Sequence, residues 1–163
     1  MPLIGNLLEQ LEPYALYSCF DTFETEPGKK RLALFDKPIG HKKMPGVMQS
    51  YADTNMQLPS QLPAPQRYLL HGFEIELTNS PSEMALKSFL WRAMFVFMLG
   101  QKLYWQCPVA DLFFNWKERN PRNIYFEYDD AFSCYFDLQD HFAPNDSIAG
   151  RVLMHGSLFR GIQ

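Results

Sequence analysis

The sequence predicts an all-β domain in the main, a sandwich or barrel of about eight strands with one short N-terminal helix and one short internal helix. Short segments with alternating apolar and polar side chains follow one another, separated by turn residues, and few segments have helical periodicity. Aromatic residues, which favour strands, make up 15% of the chain. The alternation of strand and helix that is typical of nucleotide-binding sheets does not occur.

Length and composition indicate one compact domain. The chain has 163 residues, of which 47% are hydrophobic, and a domain of this size buries roughly 70% of its unfolded surface. A net charge of −3 argues against a dedicated nucleic-acid binder. We interpret a local excess of basic residues as a solvated loop region rather than a phosphate-contacting patch. These residues are Lys29, Lys30, Arg31, Lys37, Lys42 and Lys43.

The three cysteines, Cys19, Cys107 and Cys134, form no CxxC pair and are odd in number. We therefore expect buried thiols in a reducing compartment, not a disulfide scaffold. The first residues lack the basic region of a secretory signal. The longest apolar run, residues 89–99, is interrupted by Arg92 and is too short to span a bilayer.

The first fourteen residues are predicted to be an N-terminal arm or helix, followed by a single β domain over residues 15–163. Apolar side chains recur at Ile4, Leu7, Leu8 and Leu11, and Pro13 ends the pattern. Because so short a stripe cannot be stable alone in water, it must dock on its own core or on a neighbouring subunit. The sequence leaves both options open.

Alternation within the domain predicts strands at residues 15–25, 31–36, 67–77, 94–99, 102–106, 124–128, 131–138 and 151–160. In the strand 67–77 the core face is predicted to carry Leu69, His71, Phe73, Ile75 and Leu77. The internal helix is predicted to start at Ser80 as N-cap, with Pro81 in the first helical position and Glu83 completing a capping box. A single helix over residues 81–99 is the rival interpretation.

A long connection spans residues 37–66 and contains five prolines and two glycines. Its second half, residues 53–66, has no usable hydrophobic period. Proline restricts its own φ and biases the preceding residue to extended geometry, so this segment is stiff for a loop. A connection of this length inside a compact domain is usually functional or an extended arm.

No motif for phosphate binding, zinc proteolysis or serine hydrolysis occurs, and the four histidines lack ligand spacing. His71 is interpreted as a hydrogen-bonded core histidine. The acidic group Glu127, Asp129 and Asp130 fits turn chemistry best, with a calcium site as a weaker alternative. The sequence therefore predicts no catalytic residue, no metal ligand and no cofactor, and the chain is not expected to be an enzyme.

Three parts of the chain resemble capsid-type proteins of tailless, often lipid-containing, icosahedral bacteriophages. The first comprises FDKPIGH (35–41), DTNM (53–56) and QLPAPQ (61–66) with the strand after them; the others are LGQKLY (99–104) with Pro108, and VLMHGSLFRGIQ (152–163). Together they cover roughly two fifths of the chain. The resemblance implies a jelly roll of two antiparallel sheets, repeated many times in a closed shell, and it carries no catalytic residues.

The predicted function is therefore that of a structural virion protein. Its expected partners are copies of itself and other capsid proteins, with a membrane or a genome at the inner face and no small-molecule substrate. It would be assembled in the host cytoplasm and located in the virion. The predicted subunit-interface residues come from the N-terminal stripe and the proline-rich connection: Leu3, Ile4, Leu7, Leu8, Leu11, Asn55, Gln57, Gln61, Pro63 and Pro65.

The alternative is a lectin-like β-sandwich that binds ligands through Trp116, Tyr125 and Tyr128 together with the loop at Asp129 and Asp130. A hydrolase that uses these two carboxylates is a weaker third hypothesis.

Overall fold

The computed structural model describes residues 13–44, 46–114, 123–138 and 146–160. Within these residues the chain forms ten strands and two helices. In chain order they are β1 (Pro13–Glu24), β2 (Arg31–Leu34), β3 (Lys42–Met44), β4 (Val47–Met48), β5 (Gln66–Leu77), α1 (Glu83–Arg92), β6 (Met94–Leu99), β7 (Lys102–Pro108), α2 (Ala110–Phe113), β8 (Ile124–Glu127), β9 (Phe132–Asp137) and β10 (Ala149–Arg160). The predicted N-terminal helix lies outside the described residues.

Eight of these strands form two four-stranded antiparallel sheets, which confirms the prediction of a mainly β protein. The first sheet has the order β1-β10-β5-β8 and the second the order β2-β9-β6-β7. Successive strands of this set lie in different sheets, except for the hairpin of β6 and β7. The remaining two strands, β3 and β4, form a small hairpin inside the long connection between β2 and β5.

The two sheets enclose a core built largely from aromatic rings. At its centre the Phe73 ring of the first sheet lies 4.6 Å from that of Phe95 and 5.3 Å from that of Trp105 in the second sheet, measured between centroids. Each fully buried side chain of this size contributes about 1.5–3 kcal/mol through burial. Helix α1 adds Phe89, which stacks on Phe23 and contacts the edge of Phe136, and so joins both sheets.

Helix α1 begins at Glu83, and its N-cap is Ser82, so the predicted N-cap at Ser80 is wrong. The Ser82 hydroxyl accepts a hydrogen bond from the Ala85 N–H at 3.2 Å. The same residue donates its own N–H and O–H to the carboxylate of Asp146, at 2.9 and 2.5 Å. This remote acceptor, from the segment that precedes β10, moves the start of the helix by two residues, and local spacing cannot reveal it.

The helix ends at Arg92, and the following apolar run is the buried strand β6. Gly100, with φ of 55°, turns the chain back into β7. The predicted short helix followed by a hairpin is therefore confirmed, and the rival single helix over residues 81–99 is wrong.

The predicted core face of β5 is correct only in the second half of the strand. Phe73 and Ile75 are buried, as expected, but in the first half it is Tyr68 and Leu70 that face the core. The ladder with β10 changes register between His155 and Gly156. A bulge adds one residue to a strand and exchanges the two faces beyond it. His71, at this bulge, is consequently half-buried and bonded to Ser157 and Asn123, both at 3.1 Å.

The close approach of strands at this bulge generates a testable prediction. A Cβ added at Gly156 would lie 2.4 Å from the Leu69 carbonyl oxygen and 2.5 Å from the Tyr68 ring. We expect Gly156→Ala to lower the free energy of unfolding by about 1–3 kcal/mol, because neither neighbour can move without breaking the sheet. Urea denaturation measures this change. Thr22→Ala on the neighbouring strand is the control and should change stability by less than about 0.5 kcal/mol.

Candidate interaction surface

The proline-rich connection lies along the outer edge of β1. The Asn55 side chain accepts from the Phe20 N–H and donates to the Ser18 carbonyl, each at 2.8 Å, which imitates a strand partner. The Thr54 hydroxyl also donates to the Phe20 carbonyl, at 2.9 Å. These bonds satisfy backbone groups that an edge strand would otherwise expose. The segment is thus attached to its own domain at Thr54 and Asn55.

A buried carboxylate fixes the first half of the connection. Asp21 of β1 is 0% exposed, and its Oδ2 accepts from the Phe35 N–H at 2.7 Å and from the Lys43 ammonium at 2.5 Å. Its Oδ1 accepts from the Gln49 side-chain amide at 3.2 Å. Lys43 also donates to the Thr22 carbonyl. One side chain therefore holds the residue after β2, strand β3 and the residue after β4 against β1.

The charge of Asp21 is set by two opposing effects. Burial raises the pKa of the carboxyl above its usual value, whereas the Lys43 ammonium and the Phe35 N–H lower it. Burial is the larger effect, and an isolated carboxylate in this position would be strongly destabilising, so the ammonium and the two other donors are needed to offset its burial.

Phe35 has an unusual backbone conformation that the same contacts maintain. Its φ is 60°, a left-handed value that is uncommon for a bulky residue. The N–H is bonded to Asp21, the carbonyl accepts from the Ser60 N–H at 2.8 Å, and the ring is fully buried. These contacts outweigh the strain and turn the chain sharply away from β2 at this residue.

The second half of the connection crosses to the other sheet. The Ser60 carbonyl accepts from the Phe132 N–H at the start of β9, at 3.1 Å. Met56 and Leu62 are both 3% exposed and belong to the hydrophobic core. The connection thus spans the β1 and β2 edges of the sandwich and is anchored to both sheets.

The predicted interface residues occupy different positions in this arrangement. Gln57 and Pro65 are exposed, whereas Gln61 and Pro63 are half-buried. Asn55 is half-buried, and its side chain hydrogen-bonds to the edge of β1 in the same domain. The five predicted apolar residues between Leu3 and Leu11 lie outside the described residues.

Among the described residues, two groups of exposed apolar side chains lie at edges of the sandwich, and Leu58, Met84, Phe114 and Tyr128 are exposed elsewhere. On the hairpin side, Val47 is 54%, Met48 57% and Tyr51 80% exposed. This patch is not predicted from the sequence, because the segment has no hydrophobic period, although Gly46, with φ of 78°, is a local turn signal. At the opposite edge of the second sheet Leu103 of β7 is exposed, together with Trp91 on helix α1, which packs near β7.

The outer face of the first sheet carries a row of polar side chains. The Ser18 hydroxyl lies 2.6 Å from His155 Nδ1, and His155 Nε2 lies 2.7 Å from the Glu74 carboxylate. Serine, histidine and glutamate in this order resemble a nucleophile with its base, but hydrolysis also needs donors aimed at an oxyanion. The backbone around Ser18 is occupied by pairing with β10 and by Asn55. We therefore interpret the row as a link between three strands.

The acidic group near the β8–β9 turn is engaged in local contacts. The Asp130 carboxylate accepts from the Glu127 N–H at 2.8 Å, as expected for turn chemistry. Glu127 accepts from the Tyr125 hydroxyl at 3.0 Å and pairs with Arg67. Among the described residues no group of three or more His, Cys, Asp and Glu side chains is placed to hold a metal ion. Trp116, the third aromatic residue of the lectin hypothesis, lies outside them.

The three cysteines are all buried, and no disulfide joins them. Burial raises the pKa of Cys19 to about 12 and the pKa of Cys134 well above its ordinary value, which makes both thiols unreactive. In the part of the chain that the structure describes, no helix has the length and hydrophobicity needed to cross a membrane.

The Asp21 cluster generates a prediction about pH. We expect Lys43→Ala to destabilise the fold by about 3–5 kcal/mol near pH 7, because a buried carboxylate then lacks its counter-ion. Without the ammonium, burial raises the pKa of Asp21 further above its unfolded value. The folded state then binds the proton more tightly, so the variant gains stability relative to wild type as the pH falls through that folded-state pKa.

Urea denaturation of wild type and variant from pH 7 down to pH 4 measures this difference. Lys42→Ala, which removes an exposed lysine beside it, is the matched control and should show almost no loss. A stability difference between Lys43→Ala and wild type that stays constant with pH would contradict the assignment.

Comparison of the chain with protein-family models, with curated proteins and with solved structures found no match.

Proposed function

We propose that this chain is a jelly-roll structural protein of an icosahedral bacteriophage shell, which associates with copies of itself and with other capsid proteins. The observation that carries the proposal is the strand order. Two four-stranded antiparallel sheets with the orders β1-β10-β5-β8 and β2-β9-β6-β7 support the assignment of an eight-stranded double Greek key, the topology of a jelly roll. Viral capsid domains are a common use of this architecture.

The two exposed apolar patches support self-association. The hairpin patch (Val47, Met48 and Tyr51) lies beside the β1 and β2 edges, whereas Leu103 lies on β7 at the other edge of the second sheet. Contacts between unlike surfaces of identical subunits produce rings and closed shells when the rotation closes. Burying such side chains between subunits provides part of the required association energy.

The anchored connection also supports a structural role. Before it assembles, a shell subunit must keep the edges of its sheets from pairing with unrelated chains. The bonds of Asn55 and Thr54 to β1 cover one edge in this way, and exposed Gln57 and Pro65 remain available for contact. Assembly of this kind would place the protein in the virion.

The test replaces the hairpin patch. We expect the purified wild-type chain to form capsomer-sized rings or particles. The triple variant Val47→Ser, Met48→Ser, Tyr51→Ser should remain a folded monomer, because these substitutions remove the apolar area of the contact. Light scattering after size exclusion and negative-stain electron microscopy measure the outcome. The control is Glu83→Ser with Lys87→Ser, which removes an exposed ion pair of α1 and should assemble like wild type.

Deletion of residues 2–11 tests the contribution of the N-terminal stripe, and it too should leave a folded monomer. Wild-type protein that stays monomeric at high concentration would contradict the proposal. Saturable binding on a glycan array by that monomer would favour the lectin-like alternative instead.

A further inference from the structure

A groove of about 480 Å³ separates the edge strands β1 and β2. This volume lies within the range of ligand-binding clefts in proteins. The last residues of β1, Thr22 to Glu24, form one wall, and Arg31 to Ala33 of β2 form the other. Lys43, Val47 and Gln49 of the small hairpin line it as well.

The β2 wall of this groove presents free backbone groups. The Lys30 carbonyl accepts from the Leu138 N–H, which marks these two opposite residues as a hydrogen-bonded pair. In an antiparallel ladder, hydrogen-bonded pairs alternate with pairs that do not bond each other. Arg31 and Ala33 are in pairs of the second kind, so their backbone N–H and carbonyl groups point away from β9. Phe35, two residues after Ala33, has the same orientation, and its backbone bonds to Asp21 and Ser60 on the side away from β9.

Among the described residues nothing bonds to the N–H or the carbonyl of Ala33 on this outer side. Ala33 and Arg31 both line the groove, so their outward amides face it. Unpaired strand edges attract other extended chains, and proteins use this property to capture peptides.

The charges around the groove indicate what kind of chain would fit. Lys37 and Arg31 contribute positive charge, whereas Glu24 and Asp36 contribute negative charge. Val47, which is 54% exposed, adds apolar surface beside them. A phosphate backbone would be repelled by the carboxylates, but a peptide with side chains of both signs would be matched.

We propose that the groove is a strand-addition site, which takes one extended peptide segment of a partner protein as an additional strand on the open edge of β2. The peptide backbone would bond to Arg31 and Ala33, and its charged side chains would meet Lys37 and Asp36. The site is concave and walled by the hairpin, so a single extended segment fits it better than the edge of a folded sheet. The proposal does not depend on whether the chain builds a shell.

The test begins with a displayed library of random twelve-residue peptides, to which every overlapping twelve-residue segment of this chain is added. The full-length protein selects binders, and titration calorimetry then measures their affinity for three forms of the protein. Ala33→Pro removes the N–H that faces the groove but none that pairs with β9, and proline is tolerated at such edge positions. Ala33→Ser keeps the N–H and is the matched control.

We expect Ala33→Pro to weaken the selected peptides roughly tenfold, the loss of one backbone hydrogen bond, while Ala33→Ser changes affinity by less than about twofold. Thermal unfolding of each variant establishes that it is folded. A second measurement needs no variant: peptides N-methylated at successive positions should lose binding at every second position only, because alternate amides pair with one edge.

Two results would overturn the proposal. The first is that the library yields no binder. The same conclusion follows if every binder has equal affinity for wild type and Ala33→Pro and N-methylation shows no alternation. The second is that heparin, a polyanion probe, competes with the peptides for the protein and binds at lower concentrations than the peptides do. Binders drawn only from the segments of this chain would identify the partner as a second copy.

Discussion

The buried carboxylate of Asp21 is the interaction on which the arrangement of this protein's β1/β2 edge depends. Its three donors come from the residue after β2, from β3 and from the residue after β4, so one side chain of β1 organises a connection of about thirty residues. Because a buried charge is tolerated only when its partners are in place, the connection can adopt few alternative positions. The left-handed backbone of Phe35 is maintained by the same bond.

This constraint also separates the covered part of the edge from the open part. Thr54 and Asn55 are held where they complete the edge of β1, whereas the outward amides of β2 are left facing the groove. The hairpin, held through Lys43 and Gln49, projects Val47, Met48 and Tyr51 into solvent. A single electrostatic cluster thus positions both the apolar patch and the groove, and Val47 belongs to both.

The centre of the sandwich is held together by a different kind of contact. Aromatic residues from both sheets pack at its centre, and α1 adds Phe89 against Phe23 and Phe136. Burial of this kind is non-directional and tolerates many sequences, whereas the Asp21 cluster requires particular donors at particular positions. The core therefore determines that the domain folds, and the polar cluster determines which of its edges are available to partners.

By itself the sequence determined the class of the fold and the helix α1 with its following hairpin, because these depend on periodicity and turn residues close together in the chain. Tertiary structure decided the bulge at His71, the N-cap at Ser82 and the burial of Asp21. Each of these depends on a partner from a distant strand or loop: β10, Asp146 or Lys43. Local patterns carry no information about such partners, so the candidate surface could be delimited only once the sheets had brought them together.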